Sequence, residues 1–160
     1  MKIGISVCSL HVVTDPREGA KNMIERAAAA REAGLDSLFV GDHHVTPVPY
    51  YQNNVILARM LAEWGEKPFG ALYLLPLWNP VLLAEQVATL ATIGDGKFIM
   101  QCGLGDEPQG LKMGIDLSKR VGMFTASLNI LRRLWSGDTV SESRYWGLEG
   151  ANLALTNGTC

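Results

Sequence analysis

Short apolar runs alternate with longer segments of helical periodicity along the chain. Residues 3–7 form a short, β-branched and partly alternating run, and residues 37–40 form a second apolar run of similar length. Between them, residues 18–33 are rich in Ala, Glu and Arg, and Gly34 stands where a helix C-terminus favours a residue that tolerates positive φ. The pattern predicts a strand, a helix and a second strand at the start of the chain.

The alternation continues after a polar loop over residues 41–53. The further predicted elements are a helix over residues 54–64, a strand over 69–75, a helix from 80 to about 92, a strand over 97–102 and a last amphipathic helix that Ser118 caps. Asn79 is a favourable N-cap residue, and Pro80 after it suits the first position of a helix. Strand starts near residues 3, 37, 69 and 97 therefore indicate βα units of roughly thirty residues.

Such units place each strand parallel to the one before it, with right-handed crossovers between them. The fold class is therefore predicted as α/β with a parallel sheet. Periodicity alone leaves two architectures open, an open doubly wound sheet and a (β/α)8 barrel, because both repeat the same unit. In either architecture ligands bind at the carboxyl ends of the strands, so chemistry is expected in the loops that follow them.

Composition and charge narrow the class of protein. The 160 residues are 48% hydrophobic, which is enough for one buried core. A net charge of −2 with scattered Lys and Arg argues against a nucleic-acid partner, and the apolar runs fall short of the ~18 residues that cross a bilayer. Three widely spaced cysteines, Cys8, Cys102 and Cys160, argue against a disulfide framework and favour a reducing cytoplasm.

One carboxylate and two imidazoles follow the second predicted strand directly, in the sequence Gly41-Asp42-His43-His44. An imidazole at this place can exchange a proton or hold a polar substrate near neutral pH. The alternative interpretation is structural, with Asp42 capping the loop or orienting a histidine. A metal site is disfavoured, because adjacent histidines point in different directions and no third ligand stands at a familiar spacing.

A glycine-containing turn, Gly103-Leu104-Gly105-Asp106, follows the fourth predicted strand. Its glycines would let the backbone approach a bound ring or phosphate closely. Taken alone the signal is weak, because a turn of this kind is often only a tight connection between elements. It also lacks the third glycine that the dinucleotide-binding fingerprint requires.

Several short motifs occur in a fixed order along the chain. They are Gly41-Asp42-His43-His44, Leu75-Pro76-Leu77-Trp78-Asn79-Pro80, Ala84-Glu85-Gln86, Leu90, Gly94-Asp95-Gly96-Lys97, Gly103-Leu104-Gly105 and Leu131-Arg132-Arg133-Leu134-Trp135. Their order and spacing together resemble the luciferase-like monooxygenases, from Met1 to about Leu155. The resemblance implies a (β/α)8 barrel and an oxidoreductase that acts on a small-molecule substrate, with FMN or a deazaflavin coenzyme across the carboxyl ends of the strands.

The resemblance also implies site residues. His43 takes the position of a histidine that acts near the flavin, which makes it the candidate catalytic residue. A non-prolyl cis peptide that backs the ring in this family would fall at Leu72–Tyr73, two residues that the apolar pattern alone assigns to the core. The candidate cofactor contacts are Asp42, Leu72, Tyr73, Gly103, Leu104, Gly105 and Asp106.

The domain organisation that the resemblance implies is a (β/α)4 half barrel over residues 1–136, with an insertion-like hairpin segment and tail over residues 137–160. A complete barrel needs about 250 residues, so the chain is expected to be a truncated form that makes only the N-terminal half. Four strands without closing partners leave two edges and an inner face of Ile, Val, Leu and Phe to be covered. A homo-oligomer or a complementing barrel half is therefore the expected partner.

Two functions of different classes remain open from the sequence. The first is a flavin- or deazaflavin-dependent enzyme in which His43 positions the substrate or exchanges a proton. The second is a non-catalytic half barrel, either an assembly module or an inactive fragment. The choice between FMN and deazaflavin, and the identity of the substrate, stay open as well.

Overall fold

The computed structural model of the protein describes residues 1–12 and 15–155. Its helices and strands are, in chain order, β1 (Gly4–Val7), α1 (Pro16–Glu32), β2 (Ser37–Val40), α2 (Asn53–Trp64), β3 (Phe69–Leu74), α3 (Pro80–Ile93), β4 (Phe98–Gly103), α4 (Glu107–Lys112), α5 (Arg120–Trp135), β5 (Val140–Glu142) and β6 (Leu148–Ala151). Single 3-10 turns occur at Leu75–Leu77 and Leu117–Lys119. The last five residues of the expected tail, with Cys160 among them, lie outside the described residues.

Four strands form one sheet in the order β1-β2-β3-β4. The pairing of β1 with β2 is parallel and brings Gly4 opposite Ser37, and the parallel pairing of β2 with β3 brings Phe39 opposite Gly70. Each strand is followed by a helix before the next strand begins. The predicted α/β class with a parallel sheet is therefore confirmed. Strands β5 and β6 form a separate antiparallel hairpin.

The chain folds into two compact units. The first contains Met1–Tyr73 and Ile93–Gln101, and the second contains Leu74–Thr92 and Cys102–Cys160. Within the described residues, no helix combines the length and the apolar character that a bilayer crossing requires.

The core of the first unit lies between one face of the strands and the inner stripes of α1 and α2. Its buried side chains are Val7, Leu38, Val40, Phe69, Ala71 and Tyr73 from the strands and Met23, Ala27, Leu57, Met60 and Trp64 from the helices. The indole N–H of Trp64 donates to the carbonyl oxygens of Lys67 and Pro68 at 3.0 and 3.1 Å. This large side chain therefore fills the core without leaving a buried donor unpaired.

The opposite face of the strands carries smaller side chains than expected. Ser6 is in register with Phe39, and Phe39 with Gly70, so all three point to this face. Successive side chains alternate between the two faces of a strand, and the register sends the larger aliphatic residues of β1 and β2 toward the helices. The expected inner face of Ile, Val, Leu and Phe is therefore found only in part, and its large members are Phe39, the half-buried Leu72 and the exposed Ile99.

Strand β4 approaches β3 closely at Gly70. A Cβ atom on Gly70 would stand 2.7 Å from the Phe39 ring and would overlap the backbone carbonyl of Ile99. On the helix-facing side of the same strands, the rings of Phe69 and Phe98 meet edge to face at 5.4 Å between centroids. Gly70 is therefore required by the space available rather than by strand propensity, which disfavours glycine.

The second unit is organised around α3 and α5. The buried residues include Leu83 of α3 and Leu131 and Leu134 of α5. The indole N–H of Trp135 donates to the carbonyl oxygen of Ala84 at 3.1 Å, which ties the end of α5 to α3. The 3-10 turn Leu75–Leu77 also packs against α5.

The β5–β6 hairpin of this unit is held by one carboxylate. Glu142 accepts hydrogen bonds from the backbone N–H groups of Arg144, Tyr145 and Trp146 at 2.8 to 3.3 Å. Burial raises the pKa of Glu142, but the three hydrogen bonds outweigh it and hold that pKa below its usual value. The Tyr145 hydroxyl lies against Gly122 of α5, where a Cβ atom would collide with it.

Two predicted helix starts have different outcomes. The Asn79 side chain accepts hydrogen bonds from two backbone N–H groups of α3 at 3.0 and 3.2 Å, so the predicted cap is confirmed. The prediction that Ser118 caps the last helix is wrong, because α5 begins at Arg120 and has no side-chain cap. Asp116 instead accepts from the Ser118 backbone N–H at 2.9 Å and starts the 3-10 turn that precedes α5.

The expected cis peptide at Leu72–Tyr73 is absent, since every described peptide bond is trans. Residues 69–74 form one strand, and two amides at the start of α2 hold its end. Asn53 Nδ2 donates to the Leu72 carbonyl oxygen at 2.9 Å, and the Tyr73 hydroxyl donates to Asn54 Oδ1 at 2.5 Å. These hydrogen bonds satisfy the Leu72 carbonyl group with the peptide bond in its trans form. Nothing in this segment therefore requires the cis form, which costs more free energy.

We expect Gly70→Ala to lower the free energy of unfolding by about 3 kcal/mol, because the added methyl group overpacks the contact between β3 and β4. Urea denaturation followed by far-UV circular dichroism measures the change. Gly34→Ala is the matched control: Gly34 has a φ of +79° and open space around it, so only backbone strain of about 1 kcal/mol is added. Equal losses in the two variants would contradict the close approach at Gly70.

Asn53→Asp preserves the acceptor for the Asn54 backbone N–H, found at 2.8 Å, but removes the donor to Leu72. We expect the free energy of unfolding to fall by about 2 kcal/mol at neutral pH. The Leu72 carbonyl oxygen loses its donor and faces a negatively charged carboxylate instead. Part of the loss should return in acid, where the introduced carboxyl group is protonated and can donate. Asn152→Asp, at an exposed position, adds the same charge and should change stability little at either pH. A pH-independent loss at position 53 would contradict this hydrogen bond.

Candidate functional site

The three polar residues after β2 point in different directions. Asp42 is 2% exposed, His44 is half-buried, and His43 between them is exposed to solvent. The loop therefore continues the alternation of β2, in which Val40 is buried. Of the two candidate imidazoles, only that of His43 is presented to a ligand arriving from solvent.

Asp42 and His44 form a buried pair. Nε2 of His44 lies 3.2 Å from Oδ1 of Asp42, and their side chains are 11% and 1% exposed. A carboxylate this deeply buried needs a partner, and the imidazole beside it supplies one. The structural interpretation of Asp42, that it orients a loop histidine, thus describes its contact with His44.

The loops after β1 and β2 pair with each other. The His11 backbone N–H donates to the Pro49 carbonyl at 3.1 Å, and the Tyr51 N–H donates to the Ser9 carbonyl at 3.1 Å. Between these bonds Leu10 and Tyr50 form an antiparallel bridge. This pairing follows from the parallel register of β1 and β2, which brings their carboxyl ends side by side.

His11 belongs to the scaffold of this loop pair. It is buried, its Nε2 lies 3.0 Å from the Cys8 carbonyl oxygen, and its ring packs at a tilt on Tyr51 with 5.6 Å between centroids. The Tyr51 hydroxyl donates to the Pro16 carbonyl and lies where a Cβ atom on Gly19 would collide with it. The loop after β1 is thereby fixed to the first turn of α1.

Tyr50 is a neighbour of His43 that the sequence did not reveal. Its ring meets the His43 imidazole edge to face, with 5.3 Å between centroids. Burial raises the pKa of its hydroxyl, and the charges of Asp42 and Cys8 act in the same direction, whereas the nearby Ser9 side chain acts to lower it. The only sequence signal was an aromatic pair after Pro49 in an otherwise polar loop.

Leu72 and Tyr73 sit at the carboxyl end of β3. Leu72 is half-buried on the open face of the sheet, and its carbonyl oxygen is occupied by Asn53. Tyr73 is fully buried, with its hydroxyl on Asn54. Of this pair, the Leu72 side chain is the one that a ligand at the strand ends could reach.

The turn after β4 lies in the second unit. Gly105 has a φ of +72°, and a Cβ atom there would be 3.5 Å from Leu77 and 3.7 Å from Leu74. Leu104 is 39% exposed. Gly103 to Gly105 therefore offers an accessible backbone and one exposed apolar side chain.

Asp106 has a structural partner. Its carboxylate accepts from the Gln109 backbone N–H at 3.0 Å and from the Gln109 side chain at 2.6 Å, so it is the N-cap of α4. This short helix was not predicted, because Pro108 and Gly110 mask its periodicity. Both residues fit it: proline suits the first turn, and Gly110 lies so close to Leu117 that a Cβ atom would stand 2.6 Å from that side chain.

The described residues contain no group of three or more His, Cys, Asp or Glu side chains that could hold a metal ion. The Asp42 and His44 pair supplies only two potential ligands, and they bind each other.

Comparison with a family profile and comparison with individual proteins give results that agree. The sequence profile of the luciferase-like monooxygenases matches residues 1–153. An F420-dependent glucose-6-phosphate dehydrogenase of Mycobacterium avium is 30% identical over 152 residues, covering 86% of this chain and 44% of that protein. The enzyme of the same name from Rhodococcus hoagii is 27% identical over 151 residues, covering 84% and 44%. The chain thus spans less than half the length of these relatives.

Solved structures agree on the fold. An F420-dependent secondary alcohol dehydrogenase in complex with an F420-acetone adduct superposes with a TM-score of 0.81 at 21% identity, covering 97% of this chain and 48% of that one. The oxygenating constituent of 3,6-diketocamphane monooxygenase from Pseudomonas putida, in complex with FMN, gives 0.79 at 21% identity, covering 92% and 44%. The parallel βα units are thus those of the barrel enzymes of this group. The chain belongs to the luciferase-like monooxygenase family.

Proposed function

We propose that this chain carries part of the active site of a flavin- or deazaflavin-dependent oxidoreductase, with His43 as its catalytic residue. The observation that carries the proposal is the family match over residues 1–153 together with one solvent-exposed imidazole directly after β2. Loops at the carboxyl ends of parallel strands are where such folds hold their ligands. A small molecule is the proposed substrate, as in the relatives named above.

His43 is suited to proton transfer by its placement. Its imidazole is exposed, whereas the side chains of its neighbours Asp42 and His44 are buried and lie against each other. The Gln52 side chain donates to the His43 backbone carbonyl at 3.4 Å and so supports the loop. An imidazole held in this way can donate or accept a proton near neutral pH.

The proposed cofactor is FMN or a deazaflavin such as F420, the coenzymes named for the relatives. When bound, such a group supplies hydride transfer, and flavins also activate oxygen. A flat ring could lie against the backbone at Gly103 and Gly105, because no side chain covers it there. The apolar side chain of Leu104 stands between them. In the first unit, Leu72 is a separate candidate contact, with an apolar side chain at the end of β3.

The remaining candidate contacts, Asp42, Tyr73 and Asp106, act indirectly in this proposal. Their side chains are engaged with His44, Asn54 and Gln109, so each supports a neighbouring backbone segment. A cytoplasmic location stays part of the proposal, supported by the scattered cysteines of the sequence.

A second candidate function is a non-catalytic half barrel. The observation in its favour is that the chain matches only 44% of the length of each of the dehydrogenases named above. A barrel enzyme draws ligand contacts from all eight strand ends, so part of the cofactor grip is expected from residues beyond this sequence. Cofactor retention therefore discriminates between the two functions.

The test is incubation of the purified chain with FMN or with F420, followed by desalting and an absorption spectrum. We expect one of the two cofactors to be retained. Gly105→Ala should weaken retention, because a methyl group would cover the exposed backbone, whereas Gly114→Ala has the same φ of +72° in open space and should not. A colourless protein after both incubations would favour the non-catalytic half barrel.

In a preparation that retains cofactor, turnover is then measured with glucose 6-phosphate and with a secondary alcohol, the substrate classes of two relatives. We expect His43→Ala to lower kcat by about 10²-fold or more, the usual contribution of a proton-transfer group, with little change in cofactor Kd. His43→Asn, which keeps a hydrogen-bonding side chain but cannot titrate, should be equally slow. An unchanged rate would remove His43 from the mechanism.

We also propose that the chain associates with a second copy of itself. Strands β1 and β4 are the outer strands of the sheet, and Ile99 on β4 is 37% exposed. Unpaired strand edges favour pairing with another chain. Light scattering should give a dimer mass for the native chain, and Ile99→Lys should shift it toward monomer, while Val55→Lys on the exposed face of α2 should not. A cooperative monomer, or assembly only with a complementary second chain, would contradict self-association.

A further inference from the structure

The backbone, hydroxyl and ring of Tyr50 each lie against other residues of the chain, without any bound ligand. Its backbone is bridged to Leu10 between two hydrogen bonds that join the loops after β1 and β2. Its hydroxyl lies near the side chain of Ser9, a residue that is 2% exposed. Its ring borders His43. A side chain whose backbone is bridged and whose ring is packed can restrict the orientation of the group that it contacts.

Gly41 provides the space for this arrangement. A Cβ atom on Gly41 would stand 2.7 Å from the Tyr50 hydroxyl oxygen, closer than unbonded heavy atoms pack. The φ of Gly41 is not among the positive values, so its backbone would accept alanine. The tyrosine hydroxyl therefore occupies the volume that a side chain at position 41 would need.

We propose that Tyr50 is the positioning residue of His43. Its backbone is held by the bridge to Leu10, its hydroxyl packs against Gly41, and its ring restricts the orientation of the imidazole. The catalytic significance of this contact rests on the proposed function of His43. The contact itself does not depend on that function. His43 is exposed to solvent, and the Tyr50 ring contacts its imidazole edge to face. Restricting an exposed side chain before the substrate arrives is how enzymes reduce the entropy cost of the reaction.

The contact is independent of the charge on Tyr50. Burial is the largest cause that raises the pKa of its hydroxyl above the ordinary value near 10. The hydroxyl therefore stays protonated over the range from about pH 5 to 8 in which histidines exchange protons. Tyr50 can hold the imidazole by packing in both of its protonation states, whereas a carboxylate in this place would bind the charged form more tightly.

The chain contains its own control for this arrangement. Tyr51, the next residue, packs on His11 at 5.6 Å, and its hydroxyl lies over Gly19. His11, however, is buried and bound to a backbone carbonyl, so its orientation has support beyond the tyrosine. Loss of the Tyr50 ring should therefore free His43 more than loss of the Tyr51 ring frees His11.

The experiment follows the ring signals of His11, His43 and His44 by ¹H–¹⁵N NMR in the chain without cofactor. Tyr50→Leu should move the His43 signals toward those of a free imidazole and leave the other two in place, because only His43 loses its ring neighbour. Tyr51→Leu should affect His11 and not His43. Tyr50→Phe, which keeps the ring and loses the hydroxyl, should give a smaller displacement of His43 than Tyr50→Leu.

Gly41→Ala tests the position of the hydroxyl. In the native background it should displace the His43 signals, because the methyl group pushes on Tyr50. In the Tyr50→Phe background the colliding oxygen is gone, so the same substitution should add almost no further displacement. For a preparation too large for NMR, the rate at which diethyl pyrocarbonate modifies each histidine, mapped by mass spectrometry, gives the same comparison, with a changed rate at His43 alone.

Two results would overturn the inference. One is a Tyr50→Leu protein that keeps its fold and the native His43 signals or modification rate. The other is a Gly41→Ala effect of equal size with and without the Tyr50 hydroxyl. If Tyr50 controls the His43 signals but His43→Ala leaves turnover unchanged, the positioning contact stands and the proposed catalytic role fails.

Discussion

The parallel register of β1, β2 and β3 is the constraint on which the candidate site depends. It brings the carboxyl ends of β1 and β2 side by side, so the loops that leave them can pair through backbone hydrogen bonds. That pairing places Tyr50 beside His43, two residues from different parts of the same long loop. A shift of one residue in the register would reverse the faces of the strands and separate these groups.

Local signals in the sequence predicted most of the first unit and of α3. Apolar runs, Gly34 and the Asn79 cap each act within a few residues, and the structure has the elements that they indicate. The missed features have other causes. Helix α4 is too short for periodicity to show, and its Pro108 and Gly110 are typical of loops. The wrong cap at Ser118 arose because Asp116, two residues earlier, takes the capping role for a 3-10 turn.

The candidate site was predictable in part for a similar reason. The position of His43 after a strand can be read from the chain, but its exposure and the burial of Asp42 and His44 depend on how the loop turns. The role of Tyr50 depends on its bridge to Leu10 and on the space at Gly41, and no local pattern in the sequence shows either contact. The bonds of Asn53 and Asn54 to β3 are also contacts between elements, and no sequence pattern marks them.

A recurring arrangement concerns the tyrosines. Three of the four tyrosines place the hydroxyl where a glycine lacks a side chain: Tyr50 over Gly41, Tyr51 over Gly19 and Tyr145 over Gly122. Tyr51 with Gly19 and Tyr145 with Gly122 join segments that are distant along the chain, whereas Tyr50 and Gly41 belong to the same loop. In evolutionary terms the two members of a pair are not independent positions: a descendant that gains a side chain at the glycine must also shorten the tyrosine. Aligned sequences of this family should therefore show these pairs changing together, with glycine and tyrosine lost as one inherited unit.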